Sequence, residues 1–150
     1  GTAGAVLHDR SQNLYVGFSL GGTATVGAAN TITNAGSTRA YPVIKIKRSG
    51  GTTTALNYIE NYTTNKTLWL DYDLQDGETL TIDTRLGNRS VTSSYYGNIW
   101  RALLRNSDFS EFYLQPGSNT IRAYVATSGS PTITATIQWR EAHWSPDTAV

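Results

Sequence analysis

Between Trp69 and Trp139, short apolar runs alternate with polar residues and are cut at intervals by turn pairs, a pattern that leaves little choice of fold. The tract opens LWLDYDLQDGETLTID, continues GNRSVTSSYYGNIWRALLRNSDFSEFYLQPGSNTIRAYV and closes TITATIQWR. Alternation with a period of two is the mark of a half-buried strand, and pairs such as Asp76-Gly77 and Pro116-Gly117 are turn signals. Strands are expected at Thr54 to Glu60, Thr67 to Leu74, Thr79 to Thr84, Arg89 to Ser93, Phe109 to Leu114, Thr120 to Thr127 and Thr132 to Arg140. Upstream, Asn13 to Leu20 and Tyr41 to Arg48 fit the same pattern, with Pro42 near the start of its strand where a missing amide donor is tolerated. Ile99 to Leu104 has the only helical flavour and is read as a loop or single turn. Roughly ten strands make an all-β, two-sheet antiparallel sandwich.

The 150 residues, 39% of them hydrophobic, suffice for one domain with a core and are few for two. The expectation is therefore one β-sandwich domain over 1–150, with residues 1–31, rich in Gly, Ser, Thr and Ala, forming irregular edge strands and loops. A net charge of +1 provides no field to draw the chain onto nucleic acid or an anionic membrane. No cysteine is present, which excludes a disulfide framework, a thiolate metal site and a cysteine nucleophile. No stretch is apolar enough to span a bilayer, and GTAGAVLHDR lacks the order of a signal peptide. Met is absent even at position 1, as in a processed product or an excised part of a longer protein.

Successive strand side chains leave on opposite sides, so the period divides the tract into two faces. Leu68, Leu70, Tyr72, Leu74, Leu80, Ile82, Phe112, Leu114, Ile121, Ala123, Val125, Ile133, Ala135, Ile137 and Trp139 are the expected core. The opposite face mixes rings with charges: Trp69, Asp71 and Asp73 on one strand, Glu111 and Tyr113 on another, Arg122 and Tyr124 on a third. Such a mixture suits a sugar, whose C–H face stacks on aromatics while its hydroxyls take hydrogen bonds. It equally suits a protein interface, where Tyr, Trp and Arg are enriched. A third reading has the face covered by the N-terminal strands or by a further domain.

Other chemistries fail on spacing. Asp71, Asp73, Asp76 and Glu78 resemble a calcium loop, but the third acidic residue falls one place late. Asp76-Gly77 is better read as a hairpin turn. Asp71 and Asp73 should stand roughly 6.5–7 Å apart on one side of a strand, and carboxylates so placed cannot flank a glycosidic bond. His8 and His143 sit near the termini, away from any nucleophile motif. No phosphate-cradling or dinucleotide motif occurs, and Lys45, Lys47 and Arg48 read as the solvated face of an edge strand. No catalytic residue, metal site or cofactor is expected.

The order of these motifs resembles the C-terminal domain of siphophage distal tail proteins and related prophage tail proteins. The residues that carry the resemblance are Gly77, Glu78, Leu80, Ile82 and Asp83; Pro116, Gly117, Asn119 and Ile121; Trp139 with Arg140; and YPVIKIKRSG following an Asn-x-Gly turn at Asn34 to Gly36. It implies a galectin-like or jelly-roll sandwich, carried on the hub of a tail baseplate, in the virion tail or in the bacterial cytoplasm when expressed from a prophage. Other tail or baseplate proteins would be the partners, and oligomers would belong to the full-length protein. The function expected first is a non-enzymatic structural component serving docking or host contact. The alternative is a carbohydrate-binding module with Trp69, Tyr113 and Tyr124 as its platform for a cell-surface glycan. A glycan-cleaving enzyme ranks last, for want of a suitable carboxylate pair.

Overall fold

The structure is a computed structural model that describes the backbone of residues 5–19, 25–26 and 29–146 and the side chains of residues 29–142. Leu20, the expected end of the first strand, and the side chains of His8 and His143 lie outside the described residues. Eleven strands are present among the described residues: β1 Ala5–Ser19, β2 Thr25–Val26, β3 Asn30–Asn34, β4 Val43–Ser49, β5 Thr53–Asn61, β6 Lys66–Asp73, β7 Thr79–Asp83, β8 Ser90–Ser93, β9 Gly97–Asn98, β10 Gly117–Ser128 and β11 Thr132–Pro146. They form two antiparallel sheets. One has the order β1-β11-β4-β7-β8-β9, the other β2-β10-β5-β6, with β3 also pairing β10.

Periodicity placed the core correctly. Leu68, Leu70, Leu74, Leu80, Ile82, Phe112, Leu114, Ile121, Ala123, Val125, Ile133, Ala135, Ile137 and Trp139 are all buried between the sheets, and half-buried Tyr72 packs against them. Ile32, Ala40, Ile44, Ile46, Leu56, Ile59, Val91, Ile99 and Ala102 complete the layer. Burying each large side chain contributes roughly 1.5–3 kcal/mol against the entropy of ordering the chain.

Three expectations are corrected. Phe109 to Leu114 is not a strand: Phe109–Glu111 is a 3-10 turn, and only Leu114 is bridged, to Ala40. Phe112 and Leu114 reach the core from an irregular segment, which satisfies period two without a ladder. Asp76-Gly77 does not close a hairpin, because β6 and β7 belong to different sheets. The Gln75–Glu78 turn, closed by a 3.0 Å bond from the Glu78 N–H to the Gln75 carbonyl and with Gly77 at φ +80°, carries the chain across the sandwich. Nor is β4 an edge strand, since it pairs with both β11 and β7, and Arg48 points inward while Lys45 and Lys47 face out. The expected turn at Ile99 to Leu104 contains a 3-10 turn at Trp100–Ala102. The first strand is longer than its pattern, running from Ala5 and pairing with β11 along its length.

Arg48 explains how the crossings are held. Its guanidinium donates to the carbonyls of Gly50 (2.8 Å), Gly51 (3.0 Å) and Leu74 (2.6 Å), tying the β4–β5 crossing to the β6–β7 crossing. The Thr52 N–H donates to the Ser128 carbonyl at 2.8 Å and so joins the β10–β11 crossing to the same end. A Cβ on Gly51 would meet Pro131 at 2.5 Å, so glycine is required where these connections meet.

The turn motifs have similar reasons. Asn34 Oδ1 accepts from the Gly36 N–H at 2.9 Å, and its Nδ2 donates to the carbonyls of Thr38 and Leu114. Asn119, fully buried, accepts from the Gln115 N–H and from Asn61 Nδ2 and donates to the carbonyls of Gln115 and Gly117. Buried Glu78 accepts from the Gln75 N–H (2.7 Å), the Tyr72 hydroxyl (2.5 Å) and the Ser93 hydroxyl. Polar side chains are tolerated inside when each polar atom finds a partner in this way.

Candidate binding face and family

The outer face of the five-stranded sheet is built on β6, β5 and β10. Trp69 leaves β6 between buried Leu68 and Leu70 and is 38% exposed. Register places Tyr58 of β5 opposite both Trp69 and Tyr124. The rings form a row across three strands, with centroids 5.4 Å apart and edge-on for Trp69 and Tyr58, and 6.0 Å apart and stacked for Tyr58 and Tyr124. Such offset and edge contacts hold rings in place by about 0.5–1.5 kcal/mol per pair.

Tyr58 was missed in the sequence, for a definite reason. Strict alternation from buried Leu56 would place Tyr58 inside, yet buried Ile59 shows that the parity reverses between them. Register shifts against both β10 and β6 occur at this point. A bulge inserts one residue and turns the following side chains over. No residue type at Asn57 announces it.

Arg122 lies opposite Glu60 in the β10–β5 ladder, and its guanidinium sits 4.3 Å over the Tyr62 ring. Tyr62 is 60% exposed, so this cation–π pair extends the row toward solvent. Asp71 and Asp73 follow Trp69 on the outer side of β6, both exposed. These residues, Trp69, Asp71, Asp73, Arg122 and Tyr124, therefore share the sheet face.

Two candidates stand elsewhere. Glu111 ends the 3-10 turn at Phe109–Glu111, exposed and off any strand. Tyr113 packs edge-on against Tyr41, with centroids 6.3 Å apart, and under the guanidinium of Arg39 at 4.2 Å. Both were expected from a strand that is absent, so their side chains follow the loop and not the ladder.

Among the described residues, the titrations of Tyr72, Asp83 and Arg85 are displaced, that of Arg85 upward by its hydrogen bond to Asp83. Burial, and then the Glu78 carboxylate that takes its hydrogen bond, push the Tyr72 hydroxyl up to about 12. Burial raises the Asp83 carboxyl, but hydrogen bonds from the Arg85 guanidinium and N–H outweigh it and hold Asp83 below the usual carboxylate range. No group of three or more His, Asp or Glu able to hold a metal occurs among the described residues.

Comparison with known proteins agrees with the fold. None of the curated proteins matches. A solved structure, that of the Dit (gp 19.1) protein of phage SPP1, described as a paradigm of the hub adsorption apparatus in phages infecting Gram-positive hosts, superposes with a TM-score of 0.54 at 19% identity. The match covers 86% of this chain and 47% of that one, so the chain spans about half the length of its structural relative. Residues 35–143 match the family model of the siphovirus-type tail component, C-terminal domain. That span holds both sheets' central strands and the turn motifs at Gly77 and Pro116, and the chain accordingly belongs to the siphovirus-type tail component family, as a structural part of a phage tail.

Proposed function

We propose that the outer face of the five-stranded sheet is a docking surface through which this tail component binds another tail or baseplate protein. The observation that carries the reading is the aromatic row Trp69–Tyr58–Tyr124, continued by Arg122 on Tyr62 and flanked by Asp71 and Asp73. Rings and a guanidinium at the centre with charges at the rim are the composition of protein interfaces. The domain acts without catalysis: Asp71 and Asp73 leave one strand on one side and cannot flank a substrate bond. It serves as the C-terminal sandwich of a longer tail protein, with ring assembly residing in that protein. It resides in the virion, or in the bacterial cytoplasm before assembly from a prophage.

The chain has no cysteine, so Asp71→Cys gives a unique thiol on this face. A docking face makes that thiol react with maleimide in the free domain and protects it in assembled tails. Equal reactivity in both would sink the proposal.

A second reading has one specific support, the 38% exposed indole of Trp69 beside two carboxylates, an arrangement able to stack a sugar and hold its hydroxyls. On a glycan array, Trp69→Ala and Tyr124→Ala should then abolish wild-type binding while the fold persists. A wild-type domain that binds no glycan through this face removes the second reading and leaves the first untouched.

A further inference from the structure

A cavity of about 270 Å³ opens in the six-stranded sheet where β4 begins, lined by Arg39, Tyr41, Arg85, Leu86, Gln138 and Trp139 among others. Its size lies just under the range of roughly 300–1,000 Å³ for small-molecule sites, enough for one ring. Arg140 also lines it, and among the described residues no Asp or Glu does. Two of the guanidinium groups are held in place. Arg39 rests 4.2 Å over the Tyr113 ring, while Arg85 spends Nε and Nη2 on Asp83 at 2.9 and 2.7 Å, leaving its Nη1 edge to a ligand. A guanidinium oriented in advance loses less entropy when it binds a carboxylate.

We propose that this cavity binds an acidic sugar residue. Half-buried Tyr41 supplies a ring face for its C–H surface, Gln138 an amide for its hydroxyls, Arg39 the charge for its carboxylate, and Arg85, whose own charge Asp83 balances, a second N–H donor. An acidic peptide fits less well. A peptide chain docks along a free sheet edge or an open groove, whereas β11 and β4 are each paired on both sides here. The site is independent of the aromatic row, which lies on the other sheet.

Titration calorimetry of the domain with sodium glucuronate, glucose and N-acetylglutamate tests the assignment. Glucuronate should bind in roughly the millimolar range, glucose about tenfold or more weakly, and added salt should weaken glucuronate alone. Arg39→Gln should weaken glucuronate about tenfold; Arg39 is exposed, so the substitution leaves the fold intact by circular dichroism. Trp69→Ala should leave glucuronate binding unchanged. Glucose binding as tightly as glucuronate, no binding of glucuronate, or indifference to Arg39→Gln would overturn the proposal. N-acetylglutamate binding as well as glucuronate would overturn the sugar assignment in favour of a peptide carboxylate. Loss with Trp69→Ala would move the site to the other sheet, so failure here is distinguishable from failure of the docking face.

Discussion

At the scale of the residue, the polar side chains inside the sandwich are the most consequential ones. Glu78 is fully buried, and its carboxylate is spent on a backbone N–H and two hydroxyls. Glu78→Ala leaves the Gln75 amide and the Tyr72 and Ser93 hydroxyls without their acceptor and should cost about 3 kcal/mol, read as a lower urea midpoint. Tyr72 carries the matching alkaline signature. Its folded pKa of about 12 exceeds the ordinary 10.0, so the folded state keeps the proton longer than the unfolded chain does. Its contribution is complete below pH 10 and is lost as pH rises toward 12. The stability of Tyr72→Phe should accordingly fall less between those values than that of the wild type, measured by urea melts across the range. None of this was visible in DYDLQDGE, where four acidic residues looked alike. Spacing does not say which carboxylate faces inward once a turn crosses between sheets.

Among the elements, legibility follows the regularity of the ladder. β6, β7, β10 and β11 keep period two over most of their length, and the expected inward residues are buried, Tyr72 by half. Where the backbone departs from a plain strand, the pattern misleads: Phe109 to Leu114 alternates without pairing, and β5 reverses its parity before Tyr58. Hence Trp69 and Tyr124 were legible as face residues, Tyr58 between them was not, and Tyr113 lies against Arg39 instead. The start of β10 depends on one side chain. Asn119→Ala removes both donors and the acceptor that shape Gln115–Gly117 and should cost about 3 kcal/mol in a urea melt. By contrast, Trp69→Ala loses ring contacts on an outer face and should cost about 1 kcal/mol, which leaves binding experiments interpretable.

For the whole molecule, each sheet carries a different surface: an aromatic row on the five-stranded sheet and an arginine-rimmed cavity on the other. Trp69→Ala and Arg39→Gln share no partner, so their effects on stability should add within about 0.5 kcal/mol in the double variant. A departure well beyond that figure would mean that the two surfaces communicate. The β4–β5, β6–β7 and β10–β11 crossings all meet around Arg48, so the sandwich resembles a book bound along one spine. The cavity opens at the fore-edge, where β4 begins. Native-state amide exchange should therefore be faster at Ile44 than at Ile46 or Arg48 on the same strand. A ligand seated in that opening slows the exchange at Ile44 first, so breathing of the sandwich becomes a gauge of what the domain has caught.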